Sequence, residues 1–171
     1  MSLQDGALLI AGTVSSGITV PWAASGNITT SASPAPFSVD LNPTAVNGIN
    51  GLPGGGSIDI GEGTPLYLQY TIPSTISGNS ATSLTINIVT DSNANLTTSP
   101  VTLATKTGIP LTAGTRGFIQ VPPQVGSLGK EFLGATVASV GGNPTAGSIL
   151  MIFTNQVDDP AKYYQSGFSV V

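Results

Sequence analysis

The side chains able to do chemistry are few. The 171 residues include four Lys or Arg, eight Asp or Glu, four Tyr and one Trp, with no His and no Cys. Without His, no side chain titrates near neutrality in its unperturbed state, and without Cys there is no thiolate nucleophile or soft metal ligand. A serine nucleophile would depend on Lys or the N-terminal amine as its base. Glycoside hydrolysis needs two carboxylates facing each other across the scissile bond, and spacing singles out no such pair. The chain is read as non-enzymatic, with no cofactor and no metal.

Each remaining constellation has a plainer alternative. Gly61-Glu62-Gly63-Thr64-Pro65 looks like part of a phosphate-binding loop, but it lacks the later glycine and the Lys-Ser or Lys-Thr that would follow. It is read as a turn feeding a strand at Leu66. Asp158-Asp159, helped by Asp59, Glu62 or Asp91, has the chemistry of a hard-cation site without the spacing of a calcium loop. Solvated carboxylates are the expectation there. Tyr67, Tyr70, Tyr163, Tyr164 and Trp22 suggest a sugar-stacking platform, yet Tyr70 belongs to the apolar face of its strand and is expected in the core. Tyr163 and Tyr164 fall in a tail, residues 158–171, expected to dock on the body of the protein. The sequons at Asn27 and Asn95 are read as chance products of a chain rich in Asn and Thr. Ile149-Leu150-Met151-Ile152-Phe153 is apolar on both faces, so one face meets either a covering loop or another subunit. Leu150 and Ile152, together with Tyr163 and Tyr164, are the candidate subunit-interface residues.

The elements that must position these groups are strands. A hydrophobic content of 40% and a net charge of −4 separate the chain from disordered polymers. Its 22 Gly and 13 Pro cluster between apolar runs, as turn residues do. Length and core size fit one domain over residues 1–171. Four scattered basic residues and a pI near 4.2 argue against nucleic-acid binding. No apolar run approaches the length of a membrane-spanning helix. Residues 1–12 carry Asp5 and no Lys or Arg before their apolar stretch, unlike a secretory signal. In a chain without Cys, stability must come from packing.

Alternation locates the strands. Residues 1–12 read as a first strand, and Ile18, Val20 and Trp22 as a second, interrupted by Pro21. Residues 23–57 form a loop-rich, low-charge segment around one short strand at Phe37–Leu41. Within it, Gly51-Leu52-Pro53-Gly54-Gly55-Gly56 is the least restrained piece of backbone. Beyond residue 57 the period of two is clear at Leu66–Ile72 and Leu84–Val89. Val101 and Leu103 continue it, and Arg116–Val121, Phe132–Val140 and Ile149–Thr154 complete the series of strands. No long stretch has a helical period. Such strands need closed or paired edges, and an antiparallel jelly-roll β-sandwich of about eight strands with long N-terminal loops is the preferred architecture.

Several fragments, in order, carry a family resemblance: Asp59-Ile60-Gly61-Glu62-Gly63-Thr64-Pro65-Leu66-Tyr67, the strand and turn Leu84–Asp91, Leu111-Thr112-Ala113-Gly114-Thr115-Arg116, Val121-Pro122-Pro123, Pro144-Thr145-Ala146-Gly147 and Tyr163-Tyr164-Gln165-Ser166-Gly167-Phe168. The segment from Asp59 to Phe168 resembles the cement, or decoration, proteins of tailed bacteriophages, of the type seen in Bordetella phage. The resemblance implies a jelly roll that binds the major capsid protein on the outside of the virion and locks neighbouring capsomers together. It also implies a homodimer, with a trimer as the other option, and no catalytic residues. Glu131-Phe132-Leu133-Gly134 departs from it, standing where that family tends to be more basic, and residues 14–57 match nothing in it. A carbohydrate-binding or adhesion module of sandwich fold is the rival reading. On the capsid reading, Gly51, Leu52, Pro53, Gly54, Gly55 and Gly56 are the capsid-contact candidates. Deleting Gly51–Gly56 is then expected to lower occupancy on purified capsids, measured by co-sedimentation, and unchanged occupancy would count against that role.

Overall fold

A computed structural model of the protein describes residues 9–15, 18–41, 65–122 and 130–154. Along them run twelve strands: β1 Leu9–Ala11, β2 Thr13–Ser15, β3 Ile18–Val20, β4 Trp22–Ala23, β5 Ser33–Pro34, β6 Val39–Asp40, β7 Tyr67–Ser77, β8 Ser83–Asp91, β9 Val101–Ile109, β10 Arg116–Gln120, β11 Phe132–Val140 and β12 Ala146–Thr154. No helix occurs among the described residues. The long strands form where alternation is sustained. In β7, Leu68, Tyr70 and Ile72 are buried between half-buried Tyr67, Gln69 and Thr71, and in β8 Leu84, Ile86 and Ile88 alternate with Ser83, Thr85 and Asn87. Such residues suit a pleated surface with one buried side.

Two antiparallel five-stranded sheets result. The first has the order β1-β12-β7-β10, with β4 also paired to β12; the second has the order β5-β11-β8-β9, with β6 also paired to β11. A small separate hairpin joins β2 to β3. The chain is broken at one edge of each sheet. On β12, Leu9 and Ala11 lie opposite Ile152 and Met151, while Trp22 and Ala23 lie opposite Ile149 and Ser148, so β1 and β4 share one edge end to end. The β2–β3 hairpin is inserted between them. Gly12, at φ 134°, is where the backbone leaves this edge, and a Cβ there would stand 2.9 Å from both Leu150 Cδ1 and the Val20 carbonyl oxygen. Pro21, which has no N–H to offer a ladder, separates β3 from β4. The second sheet repeats the device: β5 meets Thr136 and Val137, and β6 meets Phe132 and Leu133. The strand expected across Ile18–Trp22 is thus two, and the loop-rich segment supplies β5 and β6 to the edge of β11.

One apolar layer joins the sheets. Leu68, Ile72, Ile149, Met151 and Phe153 of the first sheet cluster with Leu84, Ile86, Ile88, Leu133 and Val137 of the second, and all are almost fully buried. Burying each such side chain contributes about 1.5–3 kcal/mol. At one end of the molecule the turn Gly78-Asn79-Ser80 runs through three positive φ values, 112°, 47° and 62°. The Gly141-Gly142 turn packs against it, and a Cβ on Gly142 would collide with the Asn79 carbonyl oxygen. Thr82 N–H to the Val140 carbonyl and Thr145 N–H to the Ser77 carbonyl, both 2.8 Å, hold the two turns together. In urea titrations Ile86→Ala is expected to cost about 2–5 kcal/mol through the cavity it leaves. Gly142→Ala is expected to cost about 1–3 kcal/mol through overpacking. A Gly142→Ala midpoint equal to that of the unaltered protein would show that the two turns are not in contact.

Candidate functional site

The outward side of the first sheet carries an apolar strip, Leu9, Leu150, Ile152, Tyr67 and Phe118, among the polar side chains Gln69, Thr71, Arg116, Gln120, Ser148 and Thr154. Register places Leu9 beside Ile152, Ile152 beside Gln69, and Gln69 beside Phe118, so one row crosses all four paired strands. Neighbours in such a row stand about 5 Å apart. Leu9 is buried yet lies outside the main core, Leu150 and Ile152 are half-buried, and Phe118 is 49% exposed. Tyr67 meets Phe118 edge to face, with centroids 5.7 Å apart and planes at 86°, the arrangement aromatic quadrupoles prefer. Arg116, opposite Thr71, supplies charge at the margin. On the inward side of the same edge, Tyr70 lies across Gly117, where a Cβ would collide with the phenol. Burial pushes the Tyr70 hydroxyl above its usual pKa. An apolar strip with an aromatic corner and a polar surround suits docking of another surface.

The outward side of the second sheet differs. Thr105 Oγ1 donates to Asn87 Oδ1 (2.9 Å), and Asn87 Nδ2 donates to Thr136 Oγ1 (3.2 Å), making a polar ladder across β9, β8 and β11. Beyond it, residues 92–99 fold over the face. Asp91 is fully buried at the base of this loop. Its oxygens accept the N–H groups of Asn93 (3.3 Å), Thr98 (3.0 Å) and Ser99 (3.2 and 3.1 Å), and the Ser92 hydroxyl (3.3 Å). Leu96, at φ 56°, is buried against Gly134, where any Cβ would fall on its Cδ1. The Ser38 hydroxyl donates to the Ala94 carbonyl (2.9 Å). Lys130 Nζ donates to the Ser99 carbonyl and, at 2.9 Å, to its hydroxyl. Asn95 Oδ1 accepts the Thr97 N–H (3.2 Å) and hydroxyl (2.8 Å), so the sequon at Asn95 is part of the internal bonding of this loop.

Leu150 and Ile152 share the outward face of β12, which lies between β7 and the broken edge β1/β4. Leu150 has the backbone at Gly12 against it. Tyr163, Tyr164, the tail 158–171, Gly51–Gly56, Asp59, Gly61–Thr64, Asp158 and Asp159 lie outside the described residues. The expectation of a solvated carboxylate is corrected at Asp91, which is buried and saturated by hydrogen-bond donors. The aromatic platform is not assembled from its described members: Tyr70 is in the core, and Trp22 is half-buried opposite Ile149 on the far edge from Tyr67. Tyr67 instead pairs with Phe118, which the sequence reading does not single out. That reading also passes over Ser127-Leu128-Gly129-Lys130, a Ser-x-x-Lys spacing. Ser127 lies outside the described residues, and the Lys130 ammonium is engaged with Ser99.

No protein-family model, curated protein or solved structure matches the chain. The aromatic corner can be tested by itself. A double-mutant cycle of Tyr67→Leu and Phe118→Leu, read by urea unfolding, is expected to give a coupling of about 0.5–1.5 kcal/mol. Strict additivity would mean that the edge-to-face contact contributes nothing.

Proposed function

We propose that the chain is a structural decoration protein that binds the outer surface of an icosahedral phage capsid and stabilises contacts between neighbouring capsomers. The observation that carries this reading is the apolar strip on the outer face of the first sheet, where Leu150 and Ile152 of β12 lie near Leu9 on one side and the Tyr67–Phe118 corner of β7 and β10 on the other. Its partners are the major capsid protein and a second copy of the chain in a homodimer, with a trimer as the other stoichiometry. Its place is the virion exterior, and it works by occupancy rather than turnover. Many weak contacts repeated over a lattice substitute for high affinity at any one of them. The ordered fragments between Asp59 and Phe168 that resemble tailed-phage cement proteins support the same reading.

The jelly-roll assignment belongs to this proposal, and strand order supports it. Counting each broken edge as one strand, β1/β4 pairs with β12, β5/β6 with β11, β7 with β10, and β8 with β9. The outermost partners along the chain therefore pair first and the innermost last, alternating between the sheets. A long antiparallel ribbon wound into two layers has this pattern, the double Greek key of jelly rolls. A carbohydrate-binding module is the second reading, favoured by the exposed ring of Phe118 beside Tyr67.

Particles purified from the phage encoding the chain are expected to contain it in numbers comparable with the major capsid protein, and adding it to bare capsids is expected to raise their heat-disruption temperature. Ile152→Lys is expected to weaken capsid binding about tenfold or more. Absence from particles, or undiminished binding by Ile152→Lys, would overturn the assignment. Glycan binding abolished by Phe118→Ala would establish the second reading in its place.

A further inference from the structure

Residues 92–99 leave the end of β8, cross the outer face of the second sheet and return to the start of β9. A single carboxylate closes the base of that excursion. We infer that this segment is an acid-released strap: Asp91 latches it over Val89 and Gly134 at neutral pH, and protonation of Asp91 lets it lift while both sheets stay folded. The inference rests on the geometry of the strap and not on the identity of any partner.

Three features of the geometry support it. The N–H groups of Asn93, Thr98 and Ser99 converge on the two Asp91 oxygens. Hydrogen bonds to an ionised acceptor are about twice as strong as neutral ones. A protonated carboxyl loses that charge and brings a hydroxyl donor to a place where donors already converge. The other described attachments of the strap to the rest of the chain are the Leu96 contact with Gly134, the neutral Ser38–Ala94 bond and the Lys130–Ser99 bonds, which are charge-assisted but exposed to solvent and keep their charge through the acid range. Finally, Val89 and Leu96 are buried outside the main core, so opening the strap leaves the layer between the sheets intact. Partial opening of this kind is how locally stabilised units behave.

The charged groups around the latch are few. Lys130 reaches it through Ser99, and Glu131 follows Lys130 at the start of β11. Asp40 on β6 and Asp91 on β8 flank Phe132 in one row. Residues 92–100 carry no charge, and Lys106 is the first charged residue on β9. Burial pushes the Asp91 carboxyl up, but the hydrogen bonds from Ser99, Asn93, Thr98 and Ser92 outweigh it and hold it below its usual value. The sign follows from linkage. A lifted strap returns Asp91 to its ordinary titration near about pH 3.9, and the closed strap binds the proton more weakly. The latch therefore contributes fully above that pH and is lost as pH falls through the depressed closed-state pKa.

Hydrogen–deuterium exchange on the full chain tests this, with rates corrected for the intrinsic pH dependence of amide exchange. Between about pH 5 and pH 2.5, residues 92–100 are expected to lose protection measurably while residues 84–90 keep theirs. Unchanged protection of the strap, or simultaneous loss in both segments, would overturn the inference. Asp91→Asn is expected to leave the strap unprotected already at pH 7 and to abolish the acid transition, whereas Asp40→Asn is expected to retain it. A transition that survives in Asp91→Asn or vanishes in Asp40→Asn would overturn the assignment to Asp91. The comparison of the two segments in the unaltered protein is decisive even where Asp91→Asn does not fold.

Discussion

Inward-facing aliphatic side chains on β7 and β12 meet those on β8 and β11 in one layer, and the rest of the molecule hangs on that contact. The chain contains no Cys to cross-link it, and its described residues form no helix to cover a sheet. Each sheet therefore serves as the other's cover, and every strand must hold its register, because a slip of one residue would turn its buried set outward. Alternation is clearest over Tyr67–Ile72 of β7 and Ser83–Ile88 of β8, while β11 buries five consecutive residues from Leu133 to Val137. The edges tolerate interruption: β1 is separated from β4, and β5 from β6, without loss of pairing to β12 and β11.

Small residues make this close packing possible at specific places. Gly117 makes room for the Tyr70 ring, Gly134 receives Leu96, and Gly142 lets two turns touch. In each case the partner is a side chain or carbonyl from a distant part of the sequence, so the glycine acts as a socket rather than a hinge. The high glycine content of the chain thus has two uses. Some glycines permit positive φ at turns, as at Gly78 and Gly141, while others are in extended strands and are needed for what lies opposite.

Legibility followed the range of the interaction that defines each feature. The strands at Tyr67–Ser77 and Ser83–Asp91 were readable because their period is local. Ser33–Pro34 and Val39–Asp40 are strand only because β11 pairs with them, and nothing within residues 33–40 announces two pieces rather than one. Leu150 and Ile152 were interface candidates because Ile149–Phe153 is apolar on both faces, but which of the two faces lies outward follows from burial of Ile149, Met151 and Phe153 between the sheets. Phe118 was not a candidate, since Phe118 and Ile119 are both large and apolar. The register that sets Ile119 beside Leu68 and Phe118 beside Gln69 decides which one faces out. Asp91 was misread as solvated because its environment depends on amides up to Ser99 folding back and on Gly134 giving Leu96 a place to land. Of the candidate site, only the two positions on β12 lie among the described residues, so the rest of that reading is carried by sequence.

The two outer faces consequently stand in different positions. The second sheet covers part of its outer face with residues of its own chain, Leu96 above all, and beside that cover carries a Thr-Asn-Thr ladder whose polar atoms bond one another. A face so satisfied gains little from a partner, because any docking surface would have to replace hydrogen bonds already made. On the first sheet, Leu150 is partly covered by the backbone at Gly12, while Ile152 is half-buried and Phe118 is held out by Tyr67. Removing those apolar side chains from water is favourable, while the Ser74–Ser148 hydroxyl pair (2.8 Å) and the polar Gln69, Thr71 and Arg116 mark where the same sheet keeps its contact with solvent. If the chain uses one face of its body to hold a larger assembly, the physical asymmetry favours the first sheet, and it does so through residues whose pattern in β12 is apolar on both sides.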